Sequence, residues 1–97
     1  MNTFKKMGLI ECGETDRIFR YEALGKKLGY AFSKVLVNDG QIQRTIETKY
    51  PQVEIVEHKD SIVHDNDIEL VIVSSPANNE LHVVGELLKA GKHVRVI

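Results

Sequence analysis

Apolar residues in this chain fall into short dense runs separated by amphipathic stretches. Met7-Gly-Leu-Ile-Glu-Cys12 is one such run, closed by Gly13, and it predicts a first strand. Arg17 to Leu28 carries Ile18, Tyr21, Leu24 and Leu28 at roughly helical spacing. Gly29 stands where a helix stop is expected, because glycine adopts the left-handed end conformation without a side-chain penalty. Ser33-Lys-Val-Leu-Val37 predicts a second strand, ended by Asn38-Asp-Gly40. Gln41 to Lys49 places Ile42 and Ile46 four apart on a short helix, and Pro51 ends it for want of an N–H. Val53-Glu-Ile-Val56 predicts strand three, and Asp60 is a candidate cap for a helical turn around Ile62 and Val63. Leu70 to Ser74 is apolar at successive positions, as a central parallel strand covered on both faces requires. Asn78 or Asn79 is the candidate cap of a last helix whose expected buried stripe is Leu81, Val84 and Leu88. Gly91 stops it, and Val94 to Ile97 predicts strand five.

The elements alternate strand, helix, strand throughout, with short links. That order predicts an α/β fold, a three-layer Rossmann-like domain with a parallel sheet between helices. Right-handed crossovers and a reversal after strand three give the strand order 3-2-1-4-5. Ninety-seven residues suit one domain, expected to span 1–97. At 42% hydrophobic and 28% charged residues the composition is that of an ordinary globular protein, so a packed core is expected. A net charge of −1 supplies no long-range pull toward nucleic acid or an anionic membrane, and neither is an expected partner. No run approaches the roughly 20 apolar residues of a membrane span. Cys12 is the single cysteine, which excludes an internal disulfide and suits a reducing compartment. With no signal-peptide core near Met1, a cytoplasmic location is expected.

Tyr50-Pro-Gln-Val, then Asp67-Ile-Glu-Leu-Val-Ile-Val-Ser-Ser-Pro76, then a helix and Ala90-Gly-Lys-His-Val94 form a collinear series. It resembles the N-terminal domain of the Gfo/Idh/MocA oxidoreductases, NAD(P)-dependent dehydrogenases often acting on sugars and polyols. The resemblance is strongest from Tyr50 to Val94 and extends more weakly from Met7 to Asp39. It implies a dinucleotide cofactor, NAD or NADP, held by the turns after strands one, two and four.

Two departures from the family pattern alter that expectation. The family's first turn reads G-x-G-x-x-G, and here the run is Glu11-Cys-Gly-Glu-Thr-Asp16. Only the middle glycine remains, and carboxylates replace the outer two. A phosphate about 4 Å from one carboxylate is repelled by up to about 4 kcal/mol at an effective dielectric of 20. A term of that size is worth nearly a thousandfold in affinity, so the cofactor is expected to be bound weakly or lost. Strand five in the family also leads into Glu-Lys-Pro, whose lysine takes part in catalysis. Here it reads Val94-Arg-Val-Ile97, so neither that lysine nor the family's substrate domain is read in these residues. The family's histidine after the Ser-Pro turn is displaced too: Glu80 stands at its place and His82 two residues on. No residue is assigned a catalytic role.

The candidate cofactor-binding residues are therefore Cys12, Gly13, Asn38, Asp39, Ser74, Ser75 and Pro76. Each has a plainer reading. Gly13 serves a cofactor loop or merely a turn, and Cys12 at a strand end is a small core residue before it is a nucleophile. Asp16 suits the cap of the first helix. Asn38 and Asp39 stand where such folds place a ribose-binding acid, and equally make a polar strand-to-helix turn. Ser74, Ser75 and Pro76 line the cofactor or form a solvated turn. Lys92 and His93 are expected to join helix to strand, and His58 and His64 to lie on the surface. The scattered histidines show no metal-ligand spacing. Two functions stay open. One is the nucleotide-binding domain of an NAD(P)-dependent oxidoreductase, inactive alone. The other is a regulatory or interaction domain that kept the fold and lost the cofactor. Strand five at the sheet end leaves apolar surface uncovered, which points to a homo-oligomer.

Overall fold

The computed structural model describes residues 4–13, 18–74 and 76–97. Five parallel strands form one sheet in the order β3-β2-β1-β4-β5. The strands are β1 (Lys5–Glu11), β2 (Tyr30–Leu36), β3 (Glu54–Ile55), β4 (Ile68–Ser74) and β5 (His93–Val96). The helices are α1 (Ile18–Lys27), α2 (Gly40–Lys49), α3 (Asp60–Val63) and α4 (His82–Lys89). A 3-10 turn, Asn78–Glu80, precedes α4. The predicted α/β class and strand order are those observed.

Period-two alternation divides the core between the two faces. Met7, Leu9, Leu70 and Ile72 point to one side and pack with Tyr21 of α1 and Ile46 of α2. Ile10, Val71 and Val73 point to the other and pack with Ile62 and Val63 of α3 and Val83 and Leu87 of α4. The central strands β1 and β4 are thereby buried on both faces, which is why Leu70 to Ser74 reads as a continuous apolar run. Both α1 and α4 end through a glycine at positive φ, Gly29 at 86° and Gly91 at 82°, as expected.

Helix α1 lies close on β1 because Gly25 has no side chain. A Cβ there would stand 2.3 Å from Met7 Cε and 2.8 Å from its Sδ. Beneath the sheet, Lys92 is buried and its Nζ donates to the carbonyls of Asp65 at 2.7 Å and Ile68 at 2.8 Å. Lys92, expected only to link helix to strand, therefore also joins the start of β5 to the entry of β4. Burial works against the Asp65 carboxylate. The Asp67 backbone N–H and the Lys34 ammonium nevertheless hold its pKa below the usual carboxylate value.

Four local expectations need correction. The buried stripe of α4 is Val83 and Leu87, with Val84 half-buried, while Leu81 and Leu88 are exposed. Four apolar residues crowd this helix, and Leu81 precedes its first turn. Leu28 is exposed as well, because α1 ends at Lys27 and the chain has left helical phase. Asp60 is the first residue of α3 rather than its cap; the Lys59 carbonyl accepts from the Ile62 and Val63 N–H groups. Neither Asn78 nor Asn79 caps the last helix. The Ala77 N–H donates to Glu80 Oε1 at 2.9 Å, and the Glu80 N–H returns to the Ala77 carbonyl. The expected cap Asp16 and the side chain of Ile18 lie outside the described residues.

Candidate functional site: the crevice at the ends of strands one and four

The sheet has one topological switch point. The chain leaves β1 toward the face carrying α1 and α2, and leaves β4 toward the face carrying α3 and α4. Two neighbouring strands that exit to opposite sides leave a crevice beyond their carboxyl ends, where folds of this type bind ligands. The strands stay paired to the crevice edge: Glu11 stands opposite Ser74, and the Cys12 N–H donates to the Ser74 carbonyl at 2.9 Å.

The first turn is built around Glu11. Its side chain is buried, and Oε2 accepts the Gly13 backbone N–H at 3.0 Å. Gly13 is exposed, and Cys12 is half-buried beside it. Burial pushes the Cys12 thiol up to about 11, helped by the Glu80 carboxylate, which the thiol contacts, and by Glu11. At neutral pH this thiol is protonated and a poor nucleophile. Reading it as a small packing residue agrees with that.

At the second turn Asp39 is exposed and caps α2. Its Oδ1 accepts from the N–H groups of Gln41 at 2.9 Å and Ile42 at 3.3 Å. Asn38 is exposed beside it. At the third, the Ser74 hydroxyl turns away from the crevice and shares a 2.9 Å hydrogen bond with the Tyr21 hydroxyl, both side chains being buried. Pro76 is half-buried, and Ser75 lies outside the described residues. The fold thus brings Cys12, Gly13 and Ser74 together. Asn38 and Asp39 form a separate group where β2 passes into α2.

A cleft of about 330 Å³ opens among the ends of β1 and β2 and the starts of α3 and α4. Its apolar part is Ile10, Leu36 and Val83; Cys12, His58, Glu80 and His82 are among its polar lining. His58 is exposed, as expected, yet contributes to this wall. Tyr21 and the twofold engagement of Glu80 are the features that sequence reasoning passed over. The signal for Glu80 was its place three residues after Ala77, the spacing of a capping box. Alanine at the cap position, in place of serine or threonine, obscured it.

No family model matches the chain. Among curated proteins, an uncharacterised oxidoreductase of Schizosaccharomyces pombe is 33% identical over 76 residues, covering 67% of this chain and 21% of its own length. The scyllo-inositol 2-dehydrogenase (NADP(+)) IolW of Bacillus subtilis is 32% identical over 91 residues, covering 92% of this chain and 24% of its own. A solved Bacillus subtilis structure, YvaA, described as a candidate oxidoreductase, superposes with a TM-score of 0.79 at 26% identity over 99% of this chain and 27% of its own. The chain is a relative of the Gfo/Idh/MocA-type oxidoreductases. Apo scyllo-inositol dehydrogenase from Lactobacillus casei shares the fold, with a TM-score of 0.76 at 22% identity over 98% of this chain and 28% of its own. This oxidoreductase-like domain spans about a fifth to a quarter of the length of these curated relatives, 21% and 24%. Among its described residues no helix is long and apolar enough to cross a membrane, and no group of histidine, cysteine and carboxylate side chains could hold a metal ion.

Proposed function

We propose that residues 1–97 form the NAD(P)-binding domain of a Gfo/Idh/MocA-like oxidoreductase, with weak affinity for the cofactor and no turnover by themselves. The observation carrying this reading is the crevice at the β1–β4 switch point, in a chain related to oxidoreductases over most of its length. A cleft of about 330 Å³ beside it is of a size that holds part of a cofactor. In the proposal Gly13 faces the pyrophosphate, Asn38 and Asp39 on the β2 side face a ribose, and Ser74, Ser75 and Pro76 line the cofactor from the β4 side. Asp39 uses Oδ1 to hold α2; in the proposal its other oxygen, Oδ2, serves as the ribose acceptor, which favours NAD over NADP.

The fit is uneven. The apolar cleft suits a base and a ribose. The first turn suits a pyrophosphate poorly, because a buried carboxylate already accepts the Gly13 N–H. That contact favours a second reading as well, a regulatory or interaction domain that keeps the fold without the cofactor. Self-association belongs to either reading, since Leu81 just before α4, Leu88 on it and Val96 on the edge strand β5 are exposed. Calorimetric titration of the purified chain with NADH and NADPH tests the choice. A dissociation constant in the range of about 0.1–1 mM, some 4–5.5 kcal/mol, supports the weak cofactor domain. Absence of any binding supports the second reading, and submicromolar binding contradicts both.

A further inference from the structure

We infer that the outer edge of β5, with the outward stripe of α4, is an interface for a second copy of this chain, joined as an antiparallel β5–β5 pair about a twofold axis. The inference is independent of the cofactor reading and assigns self-association to one surface and one register.

Two apolar stripes run along α4. Glu86 reaches toward α3, where it pairs with Lys59. At about 100° per residue, Val83 and Leu87 lie roughly 80° round from Glu86, and both are buried against the sheet. Leu81, Val84 and Leu88 lie roughly 190° round, on the side away from α3. Helix α3 stands over β1, since a Cβ on Gly8 would come within 3.0 Å of Ile62 Cγ2. The side away from α3 is therefore the outer edge of the sheet, which β5 forms. By period-two alternation Val94 and Val96 share this face, and Val94 packs with the same cluster as Val84. Leu81, Leu88, Val96 and Ile97 gather at the edge, 43% to 58% exposed. Gly85 borders the stripe, and a Cβ there would meet nothing within 4 Å. Packing within the described chain thus gives no reason for a glycine that weakens the helix interior. Close approach of a second helix does.

A second copy fits this edge because the edge is self-complementary. The Ile97 N–H donates to the Val73 carbonyl at 3.0 Å, and Val96 stands opposite Val73. Residues 95 and 97 therefore bond toward β4, and the N–H and C=O groups of Val94 and Val96 point outward. Pairing Val94 with Val96 of the second copy, and Val96 with its Val94, satisfies all of these groups at once. Strands stand about 4.8 Å apart, so α4, seated over β4 and β5, comes to lie about 5 Å from the twofold. The two copies of α4 are then about 10 Å apart, at the upper end of ordinary helix packing. Their outward stripes face each other across the axis. Arg95 falls on the axis beside its own copy, on the other sheet face, and that like-charge pair holds the association weak. The far edge of the sheet is blunted: β3 is two residues long and its Glu54 is exposed. Association accordingly closes at a dimer and does not extend into a filament.

Sedimentation equilibrium of the 97-residue chain tests this. It should show monomer and dimer with a dissociation constant of roughly 10–100 µM, as suits a small interface, and no larger species. Leu88→Lys and Val96→Lys, both at exposed positions, should each weaken the dimer by more than about tenfold, with circular dichroism unchanged. Gly85→Ala should raise the Tm of the monomer and weaken the dimer, opposite signs that a purely local role of the glycine would not give. Arg95→Thr should tighten the dimer by roughly two- to fivefold. The register has its own readout. Facing residues on the axis have Cα atoms about 4.5 Å apart, within the disulfide range of about 4.4–6.8 Å. Arg95→Cys in a Cys12→Ser background should therefore give a disulfide-linked dimer on copper-catalysed air oxidation. Thr48→Cys on the exposed face of α2, in the same background, should stay monomeric. A chain that remains monomeric well above that concentration range would overturn the inference, whatever other protein covers the edge. So would a dimer unmoved by Leu88→Lys and Val96→Lys, or linkage through Thr48→Cys as fast as through Arg95→Cys.

Discussion

The hydrogen bond between Tyr21 and Ser74 ties α1 to the end of β4, and its removal tests how the crevice is held. The two hydroxyls are 2.9 Å apart, with residue exposures of 4% and 0%. Tyr21→Phe removes one partner and leaves the Ser74 hydroxyl buried with its described partner gone, at an expected cost of about 1–3 kcal/mol. Ser74→Ala leaves the phenol in the same position and should cost a similar amount, about 1–3 kcal/mol. The double change removes both polar groups, so it should cost less than the sum of the two single changes. The expected coupling is about 1–2 kcal/mol. For a domain of this size each 1 kcal/mol lowers Tm by roughly 4–8 °C, well within reach of measurement. The chain has no tryptophan, so unfolding in urea or on heating is best followed by far-ultraviolet circular dichroism. Costs of the single changes that simply add in the double variant would refute the reasoning. They would mean that the hydroxyls satisfy themselves separately.

Lys92→Met keeps the stem and deletes both donations to the Asp65 and Ile68 carbonyls, so thermal unfolding should report a loss of about 1.5–3 kcal/mol. The Cys12 thiol, with its pKa pushed to about 11, should be alkylated by iodoacetamide at pH 8 far more slowly in the folded chain than in urea. The same shift has a stability consequence. The unfolded thiol ionises near 9.0 and the folded one near 11, so between those values the folded state binds more protons. Stability should therefore fall as pH rises through that window, with a shallower slope in Cys12→Ser. Asp39→Ala removes the cap of α2 and should cost about 1 kcal/mol in urea unfolding, and it should weaken NADH binding more than NADPH binding.

The architecture was legible because several signals agreed. A strand apolar on both faces has to be central, and two glycines after amphipathic segments have to be stops. Right-handed crossovers then leave few sheet orders open. Helix phase was less legible. Leu81, Val83, Val84, Leu87 and Leu88 satisfy more than one helical stripe, and only the position of the 3-10 turn before α4 decides which the sheet buries. Leu28 was misplaced for a related reason, since periodicity continues on paper after the chain has stopped being helical. At the site, the charge at position 11 was visible, but its direction was not. Whether a glutamate repels a ligand from outside or sits on its own turn depends on the burial that β1 and β4 impose. Ser74 shows the same gap: its place at the end of β4 is set by sequence pattern, and the turn of its hydroxyl toward Tyr21 by the packing of α1. Glu80 could be numbered against the family's histidine, yet its bonds to Ala77 and contact with Cys12 arise only once the 3-10 turn forms.

The measurement that bears most directly on the nucleotide reading is a titration of the labelled chain with NADH followed by amide resonances. Binding at the switch-point crevice should move Cys12, Gly13, Asn38, Asp39 and Ala77 together and along one saturation curve, with weak affinity. Resonances on the outer surface of α2, such as Arg44 and Thr48, should stay fixed. Shifts confined to α2 or to the β5 edge, or none at NADH concentrations well into the millimolar range, would contradict the account.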